Sequence, residues 1–260
     1  MTPDAVADVG NSRVKWGRVA GGRVAEMVAF PHDDVLGWKR TSEMWHLPSP
    51  ACWAVCGVHP AQTHRLRTWL AANGGRVLEI DARFTIDHAT QTGLHVATKE
   101  PHRTGVDRLV TALAARERSP AHAPTVSICV GTAMTVDFVE ADGRFVGGAI
   151  LPGPRLMAKS LHQSTAKLPE VAIDPVTPMH IWGDDTADAI ELGIASAILG
   201  AADQLVWDFA DRPGPSPWVF VTGGDAGYFR GFRFTADLGH FSIDPLLTLD
   251  GIRLAAEATS

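Results

Sequence analysis

The chain has 260 residues, 45% hydrophobic and 20% charged, with 23 basic against 29 acidic side chains and a formal net charge of −6. This mixture excludes a disordered chain, the length suits roughly one or two domains, and the acidic balance gives no electrostatic support for nucleic acid as the main partner. Three cysteines without a Cys-x-x-Cys pair or a secretory leader suggest a cytoplasmic protein, and apolar runs broken by charge, Gly or Pro suggest no membrane partner.

In chain order, Val6 to Val9 reads as a strand, Gly10-Asn11-Ser12 as a turn, and Arg13 to Val19 as a second strand alternating around Val14 and Trp16. Gly21-Gly22 turns the chain into a third strand, Arg23 to Phe30. Ala51 to Val58 is a buried strand and Gln62 to Ala72 an amphipathic helix stopped by Gly74-Gly75, with a further strand at Val77 to Ile80. Val106 to Arg118 has helical spacing, and the breaker segment from Ser119 to Pro124 marks a boundary between lobes at 1–118 and 119–260. Thr186 to Trp207 is a long helix, and Trp218 to Thr222 is a strand ending in Gly223-Gly224.

The two parts resemble each other. Sliding the second part back by 121 positions (131 minus 10) lays Val130-Gly131 on Val9-Gly10, Thr132 on Asn11, and Gly143-Arg144 on Gly22-Arg23. Two hairpins share Gly turns by necessity, but the agreement of two separate turns at one offset favours a duplicated α/β lobe.

Three segments have residues suited to chemistry. Asp8-Val9-Gly10-Asn11-Ser12 puts a carboxylate at a strand end before a turn with open N–H groups, which suits a hydrated Mg²⁺ beside a polyphosphate. Taken alone, the segment reads more readily as a hairpin turn, since Asn and Gly are favoured turn residues. Gly131 to Asp137 is the matching turn of the second part, with Thr132 available to a phosphate. In Gly105-Val106-Asp107-Arg108, at a helix start, Asp107 suits a general base and Arg108 a carboxylate or phosphoryl ligand; an acidic first turn is also ordinary helix chemistry. Asp225, beyond Gly223-Gly224, suits either a nucleoside contact or a strand-ending turn. The histidines show no metal-ligand spacing, and neither a Gly-x-Ser-x-Gly elbow nor a Walker loop is present.

Asp8 to Ser12, Gly105 to Arg108, Gly131 to Thr135, Gly147 to Gly153, Thr165 to Pro169 and Thr222 to Gly224 together resemble the type III pantothenate kinase family over nearly the whole chain, ending at Leu247 to Gly251. The resemblance implies the two-lobed actin and hexokinase (ribonuclease H-like) superfold with a nucleotide cleft between lobes, and a homodimer. It implies ATP-dependent phosphorylation of pantothenate to 4′-phosphopantothenate, which opens coenzyme A synthesis. Under it, Asp8, Gly10, Asn11, Ser12, Lys15 and Thr132 serve ATP and Mg²⁺, with Asp8 reaching the metal through water, and Asp107 is the proton acceptor. Thr98, Gly105, Val106, Asp107, Arg108 and Thr165 serve pantothenate, Thr165 across the dimer interface.

This chain departs from the family pattern at two positions. Where the family carries an aspartate for a monovalent cation, K⁺ or NH₄⁺, this chain has Cys129, and a neutral thiol is a poor ligand for a hard cation. Where the family carries a tyrosine in its substrate loop, this chain has Thr98, which lacks the large flat surface. The alternatives are a kinase for another small hydroxy compound, or an idle family member acting as a regulatory or binding protein.

Overall fold

The structure is a computed structural model and describes residues 2–175 and 181–258. The chain opens with β1 (Ala5–Val9), β2 (Val14–Ala20), β3 (Arg23–Phe30), α1 (Val35–Met44), β4 (Ala51–Gly57), α2 (Pro60–Ala72) and β5 (Gly75–Ile80). There follow α3 (Ala82–Asp87), α4 (Ala89–Thr92), β6 (His95–Val96), a 3₁₀ turn at Pro101–Arg103 and α5 (Val106–Arg118). The remainder comprises β7 (Thr125–Val130), β8 (Ala133–Val139), β9 (Arg144–Pro152), α6 (Pro154–Ser164), α7 (Thr186–Ala210), β10 (Trp218–Thr222), β11 (His240–Ile243) and α8 (Leu247–Glu257).

The described residues divide into two units: 2–120, 143–146 and 246–258 in the first, and 121–142 and 147–245 in the second. The division after Pro120 falls inside the breaker segment. The C-terminal helix α8, which the sequence assigns to the second lobe, packs instead in the first unit against α5. Helix α8 has two buried charges, Asp250 and Arg253, joined at 2.8 Å, and Arg118 of α5 reaches Asp250 at 3.1 Å. Burial tends to raise the Asp250 carboxyl, but hydrogen bonds and charge from Arg253 and Arg118 outweigh it and hold the group below its usual range.

In the first unit the sheet order is β3-β2-β1-β4-β5, with β2 antiparallel and β4 parallel to the central β1. Both faces of β1 are covered, which is why its sequence is apolar apart from Asp8. On one face Ala5, Ala7, Val9, Trp16, Trp53 and Val55 meet Trp38 of α1 and Leu66 and Leu70 of α2. Trp16 is the hub, with ring centroids 5.1 Å from Phe30 and 4.7 Å from Trp53, both edge-on. The opposite face is covered by α5 and α8.

Helices α5 and α8 approach so closely that a Cβ on Gly251 would overlap the Val110 carbonyl. At an open helical position Gly→Ala stabilises by about 1 kcal/mol. Gly251→Ala is expected to do the reverse and cost about 1–3 kcal/mol through overpacking. The sign of the change in urea unfolding free energy checks this.

The second sheet repeats the arrangement in five strands, β11-β10-β7-β8-β9, with the two-residue β6 added at the β9 edge, and has β8 antiparallel and β10 parallel to the central β7. The order matches β5-β4-β1-β2-β3 strand for strand, as duplication requires. Strand β9 begins at Arg144 and β3 at Arg23, again 121 apart (144 minus 23). The first hairpin of the second unit is one residue shorter, since Asp8 lies opposite Lys15 whereas Cys129 lies opposite Thr135.

Helix α7 corrects one sequence expectation, because by length and composition it is apolar enough to cross a membrane. Its Ile190, Ile194, Ile198, Ala202 and Val206, spaced four apart, pack with Val126, Ile128 and Val221, so it serves as the core helix of the second unit.

Candidate active site

The strand period of two determines which side chains of the first sheet gather at its carboxyl end. Residues 5, 7 and 9 of β1 point toward α1 and α2, so Val6 and Asp8 point toward α5 and α8. Lys15 and Cys56 are the register partners of Asp8 on β2 and β4 and share that face. Asp8 is therefore flanked by a cation on one side and a thiol on the other. The carboxyl end of a central strand is a usual place for ligand chemistry in α/β sheets.

Asp107 lies on the first turn of α5, the helix covering that face, and its carboxylate takes N–H groups from the helix start. Gly105 makes this possible, because a Cβ there would lie 2.6 Å from Asp107 Oδ1 and displace it. Thr111 Oγ1 donates to the Asp107 carbonyl at 2.7 Å and is within 2.9 Å of Thr248 Oγ1, tying this turn to α8. Burial raises the Asp107 carboxyl above its usual range, against the Arg108 N–H and guanidinium, which lower it.

Burial also raises Asp8, which is 8% exposed. Lys15 opposes that rise, the Asp107 charge adds to it, and the result is a carboxyl at about 6. A buried carboxylate raised further by a neighbouring one is a hard-oxygen donor suited to a divalent cation, which would offset the charge that Asp107 places on Asp8. Cys56, fully buried, is pushed well above its usual range by burial first and then by Asp8 and Asp107, so it is a neutral thiol.

The other expected residues fall in the two units as follows. In the first, Gly10, Asn11 and Ser12 form the β1–β2 turn, closed by the Gly10 N–H donating to Arg13 O at 3.0 Å. Thr98 follows β6, with its hydroxyl 3.0 Å from that of Thr104, just before Gly105. The Arg108 guanidinium lies over the Phe145 ring at 5.8 Å, and Val106 is buried in the core at 7% exposure. In the second unit, Thr132 is exposed on the β7–β8 turn and Cys129 is half-buried at the end of β7. Thr165, exposed, donates to Leu161 O at 2.8 Å and accepts from Leu168 N–H at 3.3 Å as it ends α6. Asp225 is 1% exposed and ion-paired with Arg155.

Among the described residues, no group of three or more His, Cys, Asp or Glu is arranged to hold a metal by itself. Two residues carried no signal in the sequence. Cys56 enters through the non-local β1–β4 pairing, and His32, after β3, has Nε2 2.9 Å from the Gly10 carbonyl oxygen.

A family model described as type III pantothenate kinase matches residues 6–208. A type III pantothenate kinase of Dichelobacter nodosus is 34% identical over 251 residues, covering 94% of each chain. Among solved structures, the activator of the 2-hydroxyisocaproyl-CoA dehydratase from Clostridium difficile is similar with a TM-score of 0.55 at 12% identity, over 99% of this chain and 96% of that one. An archaeal actin homolog is similar with a TM-score of 0.52 at 12% identity, over 98% of this chain and all of the other. At such identities the structural likeness concerns the fold, which is the duplicated actin and hexokinase-like α/β fold.

Proposed function

The chain belongs to the type III pantothenate kinase family and phosphorylates pantothenate with ATP, and we propose that Asp107 is the general base of that transfer. The observation that carries this reading is a pair of carboxylates, the buried Asp8 beside Lys15 and the half-buried Asp107 beside Arg108, on one face at the carboxyl end of β1. The 4′ hydroxyl oxygen of pantothenate attacks the γ-phosphorus, the bond to the β–γ bridging oxygen breaks, ADP leaves, and the hydroxyl proton passes to Asp107. A raised carboxyl is a better proton acceptor than an ordinary one, and phosphoryl transfer otherwise needs positioning and charge neutralisation. Lys15 and the N–H groups of Asn11 and Ser12 hold ATP phosphates, with Gly10 letting the backbone come close to them, and Thr132 is assigned a further ATP contact. Mg²⁺ accompanying ATP supplies charge neutralisation, and Asp8 would hold it through water.

Arg108, Thr98 and Gly105 serve the pantothenate side, with Thr165 contributed by a second copy of the chain. That homodimer reading is supported by exposed apolar side chains in the unit that carries Thr165: Ile150 at 64%, Leu156 at 40% and Trp182 at 66% exposure. A cytoplasmic site of action agrees with three cysteines that form no disulfide. ATP-dependent phosphorylation of a panel of hydroxylated acids tests the acceptor. Turnover of pantothenate supports the reading, and turnover confined to another acceptor overturns it.

The monovalent cation is the point of departure from the family pattern. Opposite Asp8 is Lys15, but opposite Cys129 is Thr135, so the second hairpin has a neutral pair at the matching place. With a thiol in the cation position, rates in K⁺, in NH₄⁺ and in neither are expected to agree within about twofold. Strong activation by K⁺ would contradict this.

A further inference from the structure

We propose that His32 is a positioning residue for the nucleotide, fixing the direction in which the β1–β2 turn presents the Asn11 N–H. The inference rests on the reading that this turn holds ATP phosphates. His32 Nε2 lies 2.9 Å from the Gly10 carbonyl oxygen. A carbonyl only accepts, so Nε2 carries the proton and donates. The Gly10 carbonyl and the Asn11 N–H belong to one planar trans peptide and point in opposite directions. Holding the carbonyl toward His32 therefore turns the Asn11 N–H away from it, on a residue that is exposed at the turn. The backbone around this peptide is pinned from two other sides. The Gly10 N–H is taken by Arg13 O at 3.0 Å, and the Val9 carbonyl accepts from Val58 N at 3.1 Å. His32 thus fixes the part of the turn that the sheet does not.

Its own position is set by the core. It lies two residues after Phe30, 4% exposed and edge-on to Trp16, and two before Asp34, whose carboxylate caps α1 by accepting from Gly37 N at 2.8 Å. Trp38, 1% exposed, anchors the far side of that cap, and the His59 ring packs edge-on against His32 with centroids 5.6 Å apart. A histidine held between two rigid anchors, with its ring nitrogen directed at a turn carbonyl, costs the turn little entropy when a phosphate arrives. A backbone N–H held ready for an anion is the usual form of a phosphate-binding turn.

The test is nucleotide affinity, by direct ATP binding and by steady-state kinetics, on His32→Phe, His32→Gln and His32→Asn beside Lys15→Ala. Gln can bring an amide N–H to the place of Nε2, whereas Asn is too short and Phe has no donor. The expected result is a three- to tenfold weaker Kd and KM for ATP in His32→Phe and His32→Asn, about the worth of one hydrogen bond. The KM for pantothenate should stay unchanged, and His32→Gln should recover most of the loss. Should His32→Phe fail to fold, the contrast between the Gln and Asn variants decides the matter. Unchanged ATP affinity in the Phe and Asn variants, with a clear loss in Lys15→Ala, overturns the role of His32 alone. Unchanged affinity in Lys15→Ala overturns the phosphate reading of the turn, and this inference with it.

Discussion

Asp107→Asn is expected to lower kcat for pantothenate phosphorylation by about 10²–10⁴-fold, the usual worth of a positioned general base, or about 3–5 kcal/mol of barrier. The substitution keeps the size of the side chain and leaves an amide oxygen to accept from the α5 N–H groups that the carboxylate now takes. The helix start, the Thr111 hydrogen bond to the Asp107 carbonyl and the core beneath should therefore persist. KM for ATP and Kd for pantothenate should change by a few-fold at most, because Lys15, the turn and Arg108 are untouched. A variant that binds both substrates and fails to turn over fits loss of a proton acceptor. A variant with intact kcat and weakened pantothenate binding would make Asp107 a substrate ligand only.

Asp8→Asn should inactivate the enzyme and stabilise the apoprotein. Asp8 has a carboxyl at about 6 in the folded chain against a usual value of 3.8, raised first by burial and further by Asp107. Between those values the folded protein binds the proton more tightly than the unfolded chain, so stability falls as pH rises and the whole cost is present above about 6. The gap of 2.2 (6 minus 3.8) corresponds to about 3 kcal/mol. Without Mg²⁺ and nucleotide, Asp8→Asn should be more stable than wild type by up to that amount near pH 8, and the difference should shrink to about 0.5 kcal/mol near pH 4. Urea unfolding at both pH values measures this. The same variant should lose about 10²-fold or more in turnover, since on the proposed reading the charge that is costly in the apoprotein holds the Mg²⁺ that accompanies ATP. A less stable Asp8→Asn at pH 8 would mean that the carboxylate is satisfied in the fold.

Much of the first sheet could be read locally. Strand β3 runs from Arg23 to Phe30 and α5 from Val106 to Arg118, where Gly turns and helical spacing put them. The repeat at 121 positions anticipated the common strand order of the two units. Helix α8 was hidden because its buried face contains Asp250 and Arg253, whose charges cancel only after pairing with each other and with Arg118. Helix α1 was hidden by its polar composition, with Asp34 supplying the cap and Trp38 the anchor. Strand β6, two residues long, takes its place from pairing with Arg144 and Phe145, nearly fifty positions away.

The candidate site was legible as residue types and motifs, since Asp8, Lys15 and Asp107 stand in recognisable segments. Its electrostatics were not. The strand parity that turns Asp8 toward α5, the pairing that sets Cys56 beside it and the reach of His32 to Gly10 all depend on tertiary arrangement. Cys129 is the reverse case. The sequence marks it as a departure from the family pattern, and the one-residue-shorter hairpin opposite Thr135 adds a second difference at the same place.

The most direct test of the central claim is kcat for pantothenate phosphorylation at saturating MgATP, followed from about pH 5 to about pH 8 on wild type and Asp107→Asn. A base must be ionised to act, and burial raises Asp107 above the ordinary carboxylate range, so wild-type kcat should fall as pH drops through that raised value. Because Mg²⁺ held at Asp8 would keep that carboxylate ionised at saturating MgATP, the residual rate of Asp107→Asn should lack this acid limb. An Asp107→Asn enzyme that keeps the wild-type rate, or the same acid limb, would contradict the assignment of Asp107 as the proton acceptor.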